Sequence, residues 1–197
     1  MLNFLPQLEA YQASHDTESS GIQHLELLIQ YLTDHYAETI KRRNALLDHS
    51  EISFDLLWCL FQPNTLVYTT CSGSDQPRCL KFELGQMKVS PQGEVFFQLE
   101  CRYLDYDGKL FGEVLTSLVI ESFRGVKKIN TLDVFPLQYH EQKEELKEVL
   151  LAYGWKFVSL MGKHHHRYNS FTFVKKDGKP FRFKIGGQIM VDISKFK

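Results

Sequence analysis

The period of the apolar residues changes at Pro63, and this change constrains the fold more than any other feature of the sequence. Before this proline, apolar side chains recur at the spacing of an α-helix, at Ile22, Leu25, Leu28, Ile29, Leu32, Tyr36 and Ile40. After it, apolar and polar residues alternate, which is typical of half-buried β-strands. The sequence therefore predicts an α+β protein, with N-terminal helices followed by a mostly antiparallel β roll or open barrel that has one inserted helix.

Two helices are predicted before the β-rich part. The apolar stripe predicts a long amphipathic helix over residues 22–47. Ser53 is placed to cap a shorter, very apolar helix, which Pro63 would end. We expect Trp58 and Phe61 in this second helix to anchor the helical part onto the sheet.

The domain boundaries follow from the same patterns. Residues 12–21 are rich in turn formers and lack apolar periodicity, so residues 1–21 are predicted to be a flexible leader. Residues 22–197 are predicted to form a single α+β domain. Its helical part would cover residues 22–62 and its β-rich part residues 63–197.

The β-rich part is predicted to consist of short strands joined by local turns. Alternation predicts strands at residues 66–70, 80–84, 95–103, 111–120, 129–135, 156–161, 171–175, 181–185 and 189–193. The pairs Asp107-Gly108 and Asp177-Gly178 are typical of hairpin turns, because a type I′ turn needs positive φ at its centre. A helix is predicted over residues 141–153, and Gly154 is expected to end it.

The composition favours a folded protein inside the cell. Aromatic residues make up 13% of the 197 residues, which supplies apolar surface for a core. The N-terminus lacks the pattern of a signal peptide, and no apolar run reaches the length of a membrane span. We therefore expect an intracellular protein without a membrane partner. The four cysteines contain no Cys-x-x-Cys pair and are predicted to be reduced, mostly buried thiols.

The sequence lacks the motifs of common enzymes. None of its Gly-Lys pairs stands in a phosphate-binding loop, because the first glycine and the Ser or Thr hydroxyl of that loop are missing. There is no Gly-x-Ser-x-Gly segment, and no cysteine has a base beside it in the sequence. We therefore expect no catalysis by this chain, no ATP hydrolysis and no cofactor.

Three histidines are weak candidates for metal ligands. On a strand, His164 and His166 would point to one face and His165 to the other, and His140 is the obvious distant partner. No carboxylate or cysteine is near this run in the sequence to complete a site. The interpretation that we favour is structural or exposed histidines without a metal. A small hydrolase or metalloprotein built on them is the alternative.

The C-terminal fifth of the chain is basic, whereas the rest is acidic. Residues 156–197 contain 10 Lys and Arg and only 2 Asp and Glu, although the net charge of the whole chain is −1. Alternation in Phe181-Arg182-Phe183-Lys184 puts two rings on one strand face and two cations on the other. The cations form either a solvated face or a surface for nucleic acid or another polyanion. The candidate residues are Lys175, Lys176, Lys179, Arg182 and Lys184.

A series of unusual sequence blocks occurs in the order found in a known family. They include Ile52-Ser53-Phe54-Asp55, Phe61-Gln62-Pro63-Asn64, Tyr103-Leu104-Asp105-Tyr106-Asp107-Gly108, Val134-Phe135-Pro136-Leu137 and Ile189-Met190-Val191-Asp192. Over residues 50–195 the sequence resembles the uncharacterised domain that precedes the AAA ATPase module in a large family of fungal proteins. The sequence departs from the family pattern at Ser170 and Gln188, where relatives have glycine-containing motifs.

The resemblance implies a non-catalytic N-terminal domain of an AAA ATPase-like protein. In that family the chemistry belongs to the ATPase module, so no catalytic residue carries over to this chain. Domains in this position commonly recognise a protein substrate or adaptor, and the ATPase module would be a partner in the same chain. A protein partner is thus the leading hypothesis, expected on the helical face of residues 22–47 or on the hairpin loops. Polyanion or nucleic-acid binding through the basic segment is the alternative.

Overall fold

The computed structural model describes residues 4–15, 20–176 and 179–192, except the side chains of Lys175 and Lys179. These residues form an α+β fold with antiparallel sheets, which confirms the predicted class. The predicted turn at residues 177–178 lies outside the described part. The elements are α1 (Leu5–Ala13), α2 (Ser20–His35), α3 (Ala37–Leu47), β1 (Glu51–Ser53), β2 (Leu66–Thr70), β3 (Pro77–Val89), β4 (Val95–Tyr106), β5 (Phe111–Glu121), β6 (Val126–Lys128), β7 (Val134–Pro136), α4 (Lys143–Ser159), β8 (Lys163–Lys176) and β9 (Lys179–Asp192). Short 3-10 helices span Phe54–Cys59, Ile129–Thr131 and Leu137–Tyr139.

The N-terminal helices differ from the predicted pattern at two places. Helix α1 lies within the predicted flexible leader; Leu5 at its start is buried, and Pro6 suits a first helical turn because its φ is already helical. The predicted long helix is interrupted at Tyr36, whose φ of −108° is outside the helical range, so α2 and α3 are separate helices. Tyr36 and Ile40 nevertheless both pack against the hydrophobic core of the domain. Among the helices of the described residues, none is long and apolar enough to cross a membrane.

A 3-10 helix, Phe54–Cys59, replaces the second predicted helix. Ser53 does not cap it with its side chain but ends strand β1. The Ser53 hydroxyl accepts a hydrogen bond from Arg42 at 3.3 Å, and the Arg42 guanidinium forms an ion pair with Asp55 at 2.7 Å. Arg42 of α3 thus binds both the predicted cap residue, Ser53, and Asp55 of the 3-10 helix.

The centre of the domain is a five-stranded sheet with the order β5-β4-β3-β2-β7. The β4–β5 hairpin is the one predicted from Asp107-Gly108, but its loop covers residues 107–110. Gly108 has a φ of +103°, and the carboxylate of Asp107 accepts hydrogen bonds from the amides of Lys109 and Leu110. The hairpin is confirmed, whereas the predicted type I′ turn is wrong because the aspartate side chain organises a longer loop.

The core lies between this sheet and the helical segments. Phe61 is 1% exposed, and its ring packs against Phe82 and Phe97 with centroid distances of 5.3 and 5.9 Å. Trp58 is partly buried at the edge of the same cluster. Phe61, which follows the 3-10 helix, is thus a core residue as predicted, whereas Trp58 is half-buried, and that the two residues anchor the helical part stays a prediction. The fully buried side chains also include Ile52, Leu57, Val67, Leu80, Leu99, Cys101, Ile129 and Val134.

Segments around residues 51–53 and 126–136 differ from the predicted strands. β1 pairs with β6, and neither strand was predicted because each has three residues. The predicted strand at residues 129–135 is a 3-10 helix followed by β7. Such short strands depend on a distant partner for their hydrogen bonds, so their local sequence carries little signal.

Helix α4 continues beyond the position where the sequence predicted its end. It includes Gly154 and most of the segment predicted to be a strand at residues 156–161. Gly154 does not have the positive φ of a helix-ending glycine. Phe157 and Val158 follow at helical spacing and extend the apolar side of the helix, which explains why it continues.

The last two strands, β8 and β9, pair with each other in a separate two-stranded ribbon. Strands predicted at residues 181–185 and 189–193 are one continuous strand through Gly186 and Gly187, as far as Asp192. The ribbon contacts the β2–β3 turn, where Arg182 forms an ion pair with Asp75 at 3.2 Å.

Candidate functional site

A cleft of about 580 Å³ lies between α4 and strands β2, β3 and β4, and we call it the α4 groove. Leu66, Cys79 and Leu104 supply its sheet side. The rest of the lining is Leu137, Lys147, Leu150, Leu151, Gly154, Trp155, Phe157 and Val158. Apart from Lys147, these residues carry no charge, so the groove suits an apolar ligand.

Large apolar side chains of the α4 groove are open to solvent. On α4, Trp155 is 73% exposed and Leu151 is 64% exposed. On the facing strands, Leu104 is 57% exposed and Leu66 is 44% exposed. A contiguous apolar surface rimmed by polar residues marks an interaction site, because each side chain gains free energy on leaving water. The α4 groove is therefore the candidate functional site.

Helical spacing explains how α4 presents this surface. Leu150, Gly154 and Val158 recur every four residues, and Leu151 and Trp155 form the adjacent row. An added Cβ on Gly154 would meet no atom within 4 Å, so the glycine leaves space in the groove. The site was not predicted, because the helix was expected to end at Gly154. The continued spacing was the signal that could have revealed it.

Three of the four cysteines are uncharged thiols at neutral pH. Burial raises the pKa of Cys79, in the α4 groove, to about 11. Burial also raises the pKa of Cys59 to about 11 and that of Cys101 to about 12. Cys59 and Cys101 are buried, as predicted, whereas Cys79 is half-buried; that the thiols are reduced stays a prediction.

Cys71, in the β2–β3 turn, has a different environment. Partial burial alone would raise its pKa, but hydrogen bonds from Ser74 and from the amide of Gly73 lower the pKa of the Cys71 thiol below its ordinary value. The charge of Arg78 acts in the same direction. This environment stabilises the thiolate, which is the reactive form of cysteine.

We expect iodoacetamide to alkylate Cys71 first in the folded protein. Cys59, Cys79 and Cys101 should react at comparable rates only after unfolding, because their raised pKa values keep them protonated. Peptide mass spectrometry after brief labelling measures this order, and Cys71→Ser should remove the fast product. Faster labelling of Cys79 than of Cys71 in the native protein would contradict the prediction.

His140, one of the predicted candidate ligands, lies among aromatic residues. Its ring centroid is 4.8 Å from that of Tyr68 and 6.3 Å from that of Phe135. Its Nδ1 accepts a hydrogen bond from the amide of Gln142 at 3.2 Å. These contacts fix the ring between the sheet and the start of α4, as expected for a structural histidine.

His164 and His166 lie on the same face of β8, as alternation predicted. Their ring centroids are 6.1 Å apart, and Nε2 of His164 donates a hydrogen bond to the carbonyl of Met161 at 2.7 Å. Within residues 4–15, 20–176 and 179–192, no three His, Cys, Asp or Glu side chains come together as metal ligands. The structure does not assemble His140, His164 and His166 into a site, and metal-free protein stays a prediction.

The ribbon separates some of the predicted polyanion-binding residues. Lys184 and Arg182 pair with Phe171 and Phe173 across the ribbon, so these four residues share a face. Phe181 and Phe183 lie on the opposite face with ring centroids 6.5 Å apart, which confirms the predicted alternation. Alternation places exposed Lys176 on that opposite face as well. The side chains of Lys175 and Lys179 lie outside the described part.

The fold and the groove define an α+β domain with an antiparallel sheet and an apolar surface open to solvent. The chain belongs to DUF7025, a domain of unknown function, whose family model matches residues 42–141. The match contains the five-stranded sheet, whereas α4 and the ribbon follow it. No curated protein and no solved structure matches the chain.

Proposed function

We propose that this domain is a non-catalytic recognition module that binds an apolar segment of a protein substrate or adaptor in the α4 groove. The observation that carries the proposal is the exposed apolar lining between α4 and the sheet, with Trp155 at 73% exposure. Tryptophan is among the residues that contribute most to binding at protein interfaces. An apolar segment in the groove would remove Trp155, Leu151 and Leu104 from water together.

The helical face that we expected to bind a partner is less suitable. On α2, Leu27 and Tyr31 are exposed, but the same surface includes Gln30, Asp34 and His35. Polar and charged groups would lose hydration on binding an apolar segment. The α4 groove has a more uniform apolar lining and is therefore the better site.

The sequence resemblance supports a position before an AAA ATPase module of an intracellular, fungal protein. In that arrangement this domain holds the substrate or adaptor, and the ATPase module of the same protein supplies ATP hydrolysis. The absence of a phosphate-binding loop from the sequence supports this division of roles.

The proposal is tested with short peptides selected from a phage-displayed library. The chain has two tryptophans, so Trp58→Phe leaves Trp155 as the reporter of the groove. A selected apolar peptide should shift the Trp155 emission to shorter wavelength, because the ring moves out of water. Selection that yields no such peptide would contradict the proposal.

Two charge substitutions on α4 locate the binding surface. Leu151→Glu puts a carboxylate into the groove and should abolish the peptide-induced shift. Val149→Glu is the matched control, since Val149 is exposed on the same helix but does not line the groove. Far-UV circular dichroism shows whether both variants remain folded. Equal peptide binding by the two variants would place the site elsewhere.

A further inference from the structure

The β8–β9 ribbon presents cations along one face, which we call the basic face. In the ribbon register, Lys163 and Arg167 on β8 lie on the same side as Arg182 and Lys184 on β9. From Lys163 to the rung of Lys184 the open part of this face is about 27 Å long, at a rise of roughly 3.4 Å per residue. Among the residues that the structure describes, the acidic residue on this face of the ribbon is Asp192, which pairs with Lys163. The face therefore has a positive stripe suited to a polyanion.

An aromatic ring lies among these cations. Phe171 pairs with Lys184 and is 55% exposed. The guanidinium of Arg182 lies 5.1 Å from the ring centroid of Phe171. Because this guanidinium lies over one side of the ring, an unpaired base can stack on the remaining exposed side while the cations contact the adjacent phosphates.

The middle of the basic face carries amide side chains. Asn169 pairs with Gly186, and Gln188 pairs with Arg167. Gly186 has no side chain, and the Asn169 amide oxygen lies 3.5 Å from the position that a Cβ of residue 186 would take. Amide groups both donate and accept hydrogen bonds, which suits the edges of bases.

We propose that the basic face of the ribbon binds single-stranded nucleic acid. An acidic polypeptide would match the cations, but it would use neither the exposed Phe171 ring nor the amides. The β2–β3 turn meets only one end of the face, where the Phe173 ring lies against Gly73 and Arg182 pairs with Asp75. The stretch from Lys163 to Lys184 is exposed, and at the Arg182 end a phosphate can replace the exposed Asp75 carboxylate. This activity is independent of the α4 groove.

Fluorescence anisotropy of the full chain with labelled oligo(U) and oligo(dT) tests the proposal. Neutralisation of about three phosphates gives a salt slope near −2, hence roughly a 20-fold loss of affinity between 50 and 200 mM salt. Binding of RNA, DNA or both at low salt is the expected result. The affinities for the two oligonucleotides show whether the protein prefers RNA or DNA. No binding of either would overturn the proposal.

Matched variants assign the binding to the basic face. Arg167→Glu with Lys184→Glu should weaken binding by about 10-fold or more and flatten the salt slope. Lys88→Glu with Lys109→Glu makes the same change in net charge at exposed positions outside the ribbon and is the control. Equal losses in the two double variants would show non-specific attraction and overturn the proposal.

Phe171→Leu tests base stacking, because leucine keeps an apolar side chain but removes the ring. We expect about a 5-fold or larger loss of oligonucleotide affinity, with unchanged binding of heparin. Thermal melting shows whether the ribbon variants stay folded. If polyglutamate competes as well as the oligonucleotides, or Phe171→Leu has no effect, the face attracts polyanions without contacting bases and the proposal is overturned. Leu151→Glu should leave oligonucleotide binding unchanged, which separates this test from that of the α4 groove.

Discussion

Phe61→Ala is expected to lower the free energy of unfolding by about 3–5 kcal/mol. The ring of Phe61 is almost completely buried and packs between Phe82 and Phe97. Alanine removes the transfer free energy of the ring and leaves a cavity, because the facing rings belong to adjacent strands β3 and β4 and can move little toward it.

Denaturant unfolding followed by far-UV circular dichroism measures this loss. Leu110→Ala is the control, since Leu110 is exposed in the β4–β5 loop and should change stability by less than about 0.5 kcal/mol. Similar unfolding midpoints for the two variants would show that Phe61 does not anchor the helical part onto the sheet.

Gly85→Ala is the second substitution with a large expected effect. Gly85 lies in β3 opposite Leu99, and a Cβ added there would overlap the ring of Phe97. Because Phe97 is buried against Phe61, its ring cannot swing into solvent. We expect a loss of about 1–3 kcal/mol in the free energy of unfolding, as for other overpacked cores.

A double variant tests whether this clash is the cause. Phe97→Leu removes the end of the ring that the new methyl group would meet. Combined with Gly85→Ala, it should be less destabilising than the sum of the two single substitutions by about 0.5–3 kcal/mol. Additive losses would mean that Gly85 is required for another reason, such as the backbone conformation near the β3 bulge.

Local periodicity was sufficient to predict the α+β class and the meander from β2 to β5. Alternation within a strand and helical spacing within a helix are set by neighbouring residues, so both are visible in the sequence. The same reasoning identified the opposite faces of Phe181 and Lys184 in the ribbon, because strand alternation does not depend on what packs nearby. It also identified Phe61 as a core residue, since a very apolar segment has to be buried.

Only the tertiary structure decided where these elements meet. β1 and β6 are short and exist through hydrogen bonds between segments more than 70 residues apart, which local sequence cannot encode. The α4 groove exists because α4 continues through Gly154 and because the sheet covers only one side of this helix. Trp155 is a large apolar residue of the kind expected in a core. Its side chain is nevertheless exposed, because no described segment packs over that side of the helix. Exposure is a property of distant packing, so the sequence could predict an apolar helix but not the surface that it leaves open.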